Sequence, residues 1–493
     1  MTLTFETPAN PGTYVRFVSE ETSRPPSSVA ATVAIPIVAD WGPVGATDGV
    51  IKLNSFSDFE AKFGNSPSDA RDAVLGAFLG PGVSGVPGAG TVLVYRMGVV
   101  GQIASATRNL LNTTPATGLR IDAKYPGVRG NRIKLVVEDD PLNAANQQLR
   151  VLFDDVNVER YVFPDGICSN LKAAVNLSSN YIVGVGTAID GVNLANLAAT
   201  SLSGGNDGSA FTGTEYVQAL GALEFEPFSV FVPANVTDAG ILASIRTWVI
   251  TMANAQRPIV AVLGGPAAET FSAAQTRTGT VRDEHIVSLG AGDFYDSFLA
   301  KNVSTAQVAP RVAGALAGLG EERSLTFLKF GGLKFVGTVA IVTDSLADAA
   351  RLGITAFRRT SSVEAELMIA RGVTTYIDTT NPAKTVAIFS DPRLVRVGDL
   401  FIREVRLYGD DFIVGQTTVS EETKAAVRSR GNRLIADRVD RGLLLPGVNV
   451  ADRPFFRVVD PVSVGAPEDS VPFEFGWRYT KTTNYLIGNG RVR

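Results

Sequence analysis

The chain has 493 residues, 45% of them hydrophobic, with 45 basic and 49 acidic residues giving a formal charge of -4, one histidine (His285) and one cysteine (Cys168). That length and apolar content suit roughly three domains of about 150 residues with real cores, and the balanced charge offers no general field for gripping nucleic acid or anionic lipid. The commonest nucleophilic, acid–base and zinc chemistry draws on clusters of His and Cys, so a chain this poor in both is built around contacts, with no cofactor or metal expected.

No leader pattern opens the sequence and no apolar run reaches the roughly 18 residues of a membrane span, so the expectation is a chain that matures in the cytoplasm with no direct membrane contact. The Asn-x-Ser/Thr sites at Asn112, Asn176, Asn235 and Asn302 are then without meaning. Residues 1–28 carry Pro8, Pro11, Pro25 and Pro26 and one short alternating patch, Tyr14-Val15-Arg16-Phe17-Val18, too little to make a core, and read as an arm.

Residues 29–100 read as an unfinished α/β unit: a buried strand Val33–Ala39, a turn Trp41–Gly45, an amphipathic helix Phe56–Phe63, a Gly/Pro loop Gly80–Gly90 and a strand Thr91–Arg96. From 101 to 202 the texture changes to short alternating segments, Arg132–Val137, Gln148–Phe153 and Arg160–Phe163, separated by turn residues, which predicts a β-rich inserted domain. After Ser203–Gly208, helix Glu215–Leu223, strand Ser229–Val232, helix Ala239–Ala253 and strand Pro258–Leu263 alternate, the mark of a doubly wound parallel sheet over 203–350.

Residues 351–476 predict an α+β domain, with β-type segments at Glu364–Ile377, Thr385–Phe389 and Leu400–Tyr408 and a long helix at Ser420–Arg441. The last stretch, 477–493 (WRYTKTTNYLIGNGRVR), holds four cations, no carboxylate and much strand propensity with nothing of its own to pack on. It reads as a second arm, and the whole as a mixed α/β and α+β multidomain chain.

Motifs of reaction chemistry are missing. Gly184-Val-Gly186 has Ile189 where a dinucleotide fingerprint needs its third glycine, so it reads as a turn, and no phosphate-binding P-loop occurs. His285, in Arg282-Asp-Glu-His-Ile286, has neighbouring carboxylates but no G-x-S-x-G partner, which predicts a surface or capping histidine. Asp139-Asp140, Asp154-Asp155 and Asp410-Asp411 lack calcium-loop spacing and read as solvated turns. Ser420–Arg441 holds six cations against four carboxylates, too mixed for a nucleic-acid groove but able to dock an acidic protein surface.

Several segments taken in order resemble the tail sheath proteins of contractile phages and related contractile injection systems. They are Pro11-Gly-Thr-Tyr14, Ala39-Asp-Trp-Gly-Pro-Val-Gly45, Ser57–Gly64, Val92–Arg96, Ala123-Lys-Tyr-Pro-Gly-Val-Arg-Gly-Asn131, Leu202–Gly208, Ala309-Pro-Arg-Val-Ala-Gly-Ala-Leu-Ala-Gly318 with Ser324-Leu-Thr326, and Ala370–Tyr376. The resemblance implies a non-enzymatic subunit with a subtilisin-like middle domain, an outward-facing inserted domain, and terminal arms that add strands to neighbours' sheets. Arm contacts then fall to Tyr14, Val15, Phe17, Trp477, Tyr479, Tyr485 and Ile487. The implied partners are further copies in a helical polymer of rings, the tail tube protein, and baseplate and tail terminator proteins.

The implied place is a virion tail assembled in the host bacterial cytoplasm. A helix of the C-terminal domain faces the tube in such proteins; Ser420–Arg441 matches it, with Lys424, Arg428, Arg433 and Arg441 as its cations. The implied mechanism is contraction from an extended lattice to one with more buried contact, driving the tube through a cell envelope. The alternatives are a static capsid, shell or fibre subunit, and a subtilisin-like hydrolase.

Overall fold

The computed structural model describes residues 31–83, 85–99, 101–208, 211–255, 257–320, 323–336, 343–359, 367–377, 390–413, 417–447, 453–460 and 471–476. Both expected arms, with Tyr14, Val15, Phe17, Trp477, Tyr479, Tyr485 and Ile487, lie outside the described residues, as does the expected strand Thr385–Phe389.

The chain opens with β1 (Thr32–Ile37), α1 (Gly45–Asp48), β2 (Ile51–Leu53), α2 (Phe56–Phe63), α3 (Asp69–Leu79) and β3 (Thr91–Arg96). A β-rich stretch follows: β4 (Ile103–Ala104), β5 (Thr107–Leu111), β6 (Thr117–Ala123), β7 (Ile133–Asp139), β8 (Asn146–Phe153), β9 (Val156–Pro164), α4 (Cys168–Ser178), β10 (Ile182–Val185), β11 (Leu197–Ser201) and β12 (Asn206–Asp207). Alternation resumes with α5 (Gly213–Leu223), β13 (Val230–Phe231), α6 (Ala239–Asn254), β14 (Val260–Leu263), α7 (Phe271–Thr280), β15 (Ile286–Leu289), β16 (Asp293–Asp296), β17 (Lys301–Ser304) and α8 (Thr305–Gly318). Then come β18 (Lys329–Phe330), β19 (Leu333–Phe335), α9 (Thr343–Arg351), β20 (Ile354–Thr355), β21 (Phe357–Arg359), β22 (Leu367–Ile369), α10 (Pro392–Phe412), α11 (Glu421–Asp440), β23 (Phe455–Val458) and β24 (Phe473–Gly476).

Seven strands form the central sheet in the order β2-β3-β1-β13-β14-β15-β20, parallel throughout except for β2. Apart from the edge strand β2, its strands are buried on both faces, as parallel strands covered by helices must be. Val33, Ile35 and Ile37 turn to one face with α3 and α8, whereas Ala34, Leu93 and Phe231 turn to the other with α5 and α6. Because β20 pairs with β15, the boundary expected at 350 is crossed: the chain past it still contributes a strand to this sheet.

Helix α8 carries the motif Ala309–Gly318 and is buried along nearly its whole length. The small side chains have a steric cause, since a Cβ on Gly314 would stand 2.0 Å from the carbonyl oxygen of Ala77 in α3. The two helices touch backbone to backbone, an approach open only to residues without bulk.

The stretch 101–208 has its own core between the sheets β10-β6-β5 and β11-β7-β8-β9, where Ile121, Leu135, Leu149 and Phe163 meet Cys168 and Leu171 of α4. Asp154 and Asp155 make the tight β8–β9 turn with φ of 51° and 66°, the left-handed pair that two-residue hairpins require. Their carboxylates pair with Arg132 and Lys134. The neighbouring pair departs from a solvated turn, because Asp140 is buried and takes Arg160 at 2.8 Å.

Residues 400–408 do not form the expected strand; they lie inside α10, and Asp410-Asp411 lies there too rather than in a turn. Their Leu, Phe, Ile, Val and Tyr content suits a strand, but burial follows the helical spacing Val397, Phe401, Val405. Asp391 caps the helix and Pro392 starts it. Of the expected segment Glu364–Ile377, only Leu367–Ile369 is a strand among the described residues.

Candidate assembly site

In open α/β sheets the carboxyl ends of the parallel strands are where ligands bind. Here they are filled by the chain itself. Beyond β14 and β15, Arg277 pairs with Glu269 at 2.8 Å and donates to Ser288 Oγ and the Leu289 carbonyl, all largely buried. Among the described residues no three His, Cys, Asp or Glu side chains gather as a metal site would need, and no helix is long and apolar enough to cross a membrane. Lone Cys168 is buried, and burial pushes its thiol up, away from reactivity.

At the end of β3, Arg96 is fully buried and donates to the carbonyls of Ala39 (2.9 Å), Gly42 (2.6 Å) and Pro126 (2.9 Å), with Asp207 at 3.9 Å. Burial pulls this guanidinium down to about 10, so it stays charged at neutral pH. Around it Trp41 meets Tyr125 edge to face, and Asn131 exchanges two hydrogen bonds with Gly205 (2.9 and 3.0 Å). A Cβ on Gly127, whose φ is 135°, would strike the Asp40 carbonyl at 2.1 Å. Three motifs far apart in sequence, at 39–45, 123–131 and 202–208, are thus one joint between the central sheet and the β-rich region.

A second joint forms on Arg311 of α8. Its side chain is buried against Asp296 at 3.1 Å and donates to the carbonyls of Gly80, Pro81 and Gly331, closing the Gly/Pro loop over the core. Burial lowers its pKa and Asp296 opposes the shift.

His285 is neither a surface nor a capping residue. It is buried, with Nδ1 3.1 Å from Asp283 and Nε2 3.2 Å from Asp399 of α10. Burial disfavours the charged ring, but the two carboxylates outweigh it and push the pKa up to about 10. The carboxylates can only accept, so both ring nitrogens donate and the ring is cationic. Beside it, Arg403 donates to the carbonyls of Phe228 and Pro258, Arg406 to Ala255 and Arg396 to Leu319. Together these contacts seat α10 on the central sheet.

Helix α11 and the hairpin β23–β24 complete this C-terminal module. Val427, Leu434 and Ile435 of α11 pack with Val397 and Phe401 of α10 and Phe456 of β23; at the crossing a Cβ on Gly431 would stand 2.3 Å from the Phe456 ring. Arg438, whose role composition did not reveal, is buried, pairs with Glu404 at 3.2 Å and lies over Phe401. The cations expected on this helix divide: Arg428, Arg433 and Arg441 are exposed, whereas Lys424 is half-buried and held by Glu421 at 2.8 Å. Arg441 also pairs with Asp437 at 3.5 Å.

Strands β23 and β24 pair only with each other among the described residues, leaving an outer edge on each, and Phe455, Phe473 and Phe475 are exposed. Two strands alone are marginal in water. The open edges, the exposed rings and the short step from Gly476 to residue 477 make this hairpin the site most suited to pairing with another chain.

Residues 209–386 match the family model described as the phage tail sheath protein central domain. The phage-like element PBSX protein XkdK of Bacillus subtilis strain 168 is 24% identical over 338 residues, a match spanning 65% of this chain and 63% of that relative, less than two thirds of its length. Among solved structures, the sheath tail protein from Desulfitobacterium hafniense is similar with a TM-score of 0.69 at 19% identity, over 96% of this chain and 100% of that one. The sheath tail protein from Listeria innocua gives 0.64 at 20% identity, over 92% and 98%. The anti-feeding prophage helical sheath in its contracted state gives 0.53 at 10% identity, over 98% and 99%. The matched central domain and the architecture shared over nearly the whole chain make the fold similar to that of phage tail sheath proteins.

Proposed function

We propose that the protein is a structural, non-enzymatic subunit of a contractile tail sheath, polymerising helically around an inner tube and contracting to drive that tube through a cell envelope. The observation that carries this reading is β23–β24, a strand pair whose outer edges are unpaired among the described residues and which is followed in sequence by 477–493. Strand exchange at this hairpin would link copies into a mesh through main-chain hydrogen bonds, with alternate side chains fixing register. A mesh of such links stays connected while the bodies it joins change their packing.

In this reading Tyr14, Val15, Phe17, Trp477, Tyr479, Tyr485 and Ile487 are arm contacts. The central sheet is a subtilisin-like scaffold without its chemistry, and 101–202 faces outward. Besides further copies and the baseplate, the tube and a terminator are partners, met after assembly in the bacterial cytoplasm.

Electron microscopy of the recombinant protein tests it. The full chain should form hollow helical tubes of one diameter. Deletion of 477–493 should leave folded, soluble monomers, because the strand donor is gone while every core described above remains. Tubes from the truncated chain would reject strand donation by this arm.

A further inference from the structure

Helix α10 joins two bodies. Its Val397 and Phe401 share a core with α11 and β23, while its polar side chains seat it on the central sheet. The seat has an unusual composition. Arg396, Arg403 and Arg406 donate to backbone carbonyls, and Arg403 also lies in the field of Asp399. Asp399 itself meets the cationic ring of His285, which Asp283 holds from the other side. Two carboxylates on one imidazole form a stable arrangement only while the ring carries both protons.

We propose that His285 is a charge key that fixes α10, and with it the C-terminal module, in one seating on the central sheet, and that this seating can be released while the sheet stays folded. The groups around the ring are Asp283 and Glu284 on its own loop, Arg246 of α6, which supports Asp283, and Asp399 and Arg403 of α10. The loop is itself tied down, since Thr375 Oγ1 accepts from the Asp283 amide at 2.8 Å and donates to the carbonyls of Val281 and Asp283. Release therefore moves α10 and leaves His285 in place. In the proposed lattice, a pull entering at β23–β24 passes through α11 and α10 to this contact, so the key sets whether the module moves with the sheet or independently of it.

The sign of the pH dependence follows from the raised ring pKa. A free imidazole titrates near 6.5 and the seated one near 10, so the key holds fully below about pH 6.5, weakens as pH climbs, and is lost near pH 10.

Amide hydrogen exchange by mass spectrometry on the full chain, corrected for intrinsic rates, is the test. At neutral pH, His285→Gln should speed exchange in 392–412 by about tenfold or more relative to wild type, with 260–263 unchanged. Wild type should approach the variant between about pH 6 and about pH 9.5, whereas the variant should show little pH dependence. Should His285→Gln not fold, Asp399→Asn, which removes one carboxylate and keeps the ring, should give the same selective loosening. Nitrogen NMR of the single histidine, by magic-angle spinning if the protein polymerises, should show two protonated ring nitrogens at neutral pH. A neutral ring there, unchanged exchange in 392–412 for the folded variant, or loosening of 260–263 in parallel would each overturn the proposal.

Discussion

Arg96, Arg277, Arg311 and Arg438 are buried or nearly so, and each donates to backbone carbonyls, a carboxylate or both. A guanidinium is the group suited to this, with five donors in a rigid plane and a charge that survives burial. Such a pair is costly to break from one side. Asp296→Ala leaves Arg311 buried without its counter-charge and should cost about 3–5 kcal/mol, read as a lowered denaturant midpoint. Gly314→Ala acts by volume instead: its methyl would stand 2.0 Å from the Ala77 carbonyl, so α3 and α8 must part. A loss of about 1–3 kcal/mol is expected from overpacking, and unchanged unfolding of either variant would refute the packing described for α8.

At the scale of elements, legibility tracked how local the cause was. Helix α2 falls at Phe56–Phe63 as its pattern predicts because its determinants are adjacent: the Ser55–Asp58 capping box, the stacked Phe56, Phe59 and Phe63, and Gly64 at the end. Strand β3 and α11 are legible for similar reasons. Helix α10 was not, because Leu400–Tyr408 has the residue types of a strand and only its Asp391-Pro392 start and four-residue apolar spacing betray it. His285 was misplaced because its second carboxylate, Asp399, lies 114 residues away. Arg428 and Arg433 lie on the exposed face of α11. Reversal of Arg428 and Arg433 to Glu should spare empty sheath formation yet block co-assembly around a coexpressed tube, since rim charges set recognition more than bulk affinity. Normal filling by the double mutant would reject this face as the tube contact.

For the whole molecule, the three joints divide the described residues into bodies: Arg96 holds the β-rich region, Arg311 closes the central core, and His285 seats the C-terminal module. Among the described residues, the Arg96 joint ties the β-rich region to the central sheet, and its β7–β8 turn is exposed. Residues 141–145 between β7 and β8 are all solvent-exposed, whereas Gln147 is buried and exchanges hydrogen bonds with Leu194 (2.8 and 3.0 Å). A short tag inserted after Ala144 therefore disturbs no buried backbone and should be tolerated; one inserted beside Gln147 should unfold this region. If the outward placement of 101–202 holds, tubes of the Ala144 insert should form normally and bind an anti-tag antibody along their length. Folded monomers that no longer polymerise would instead put this turn inside the lattice.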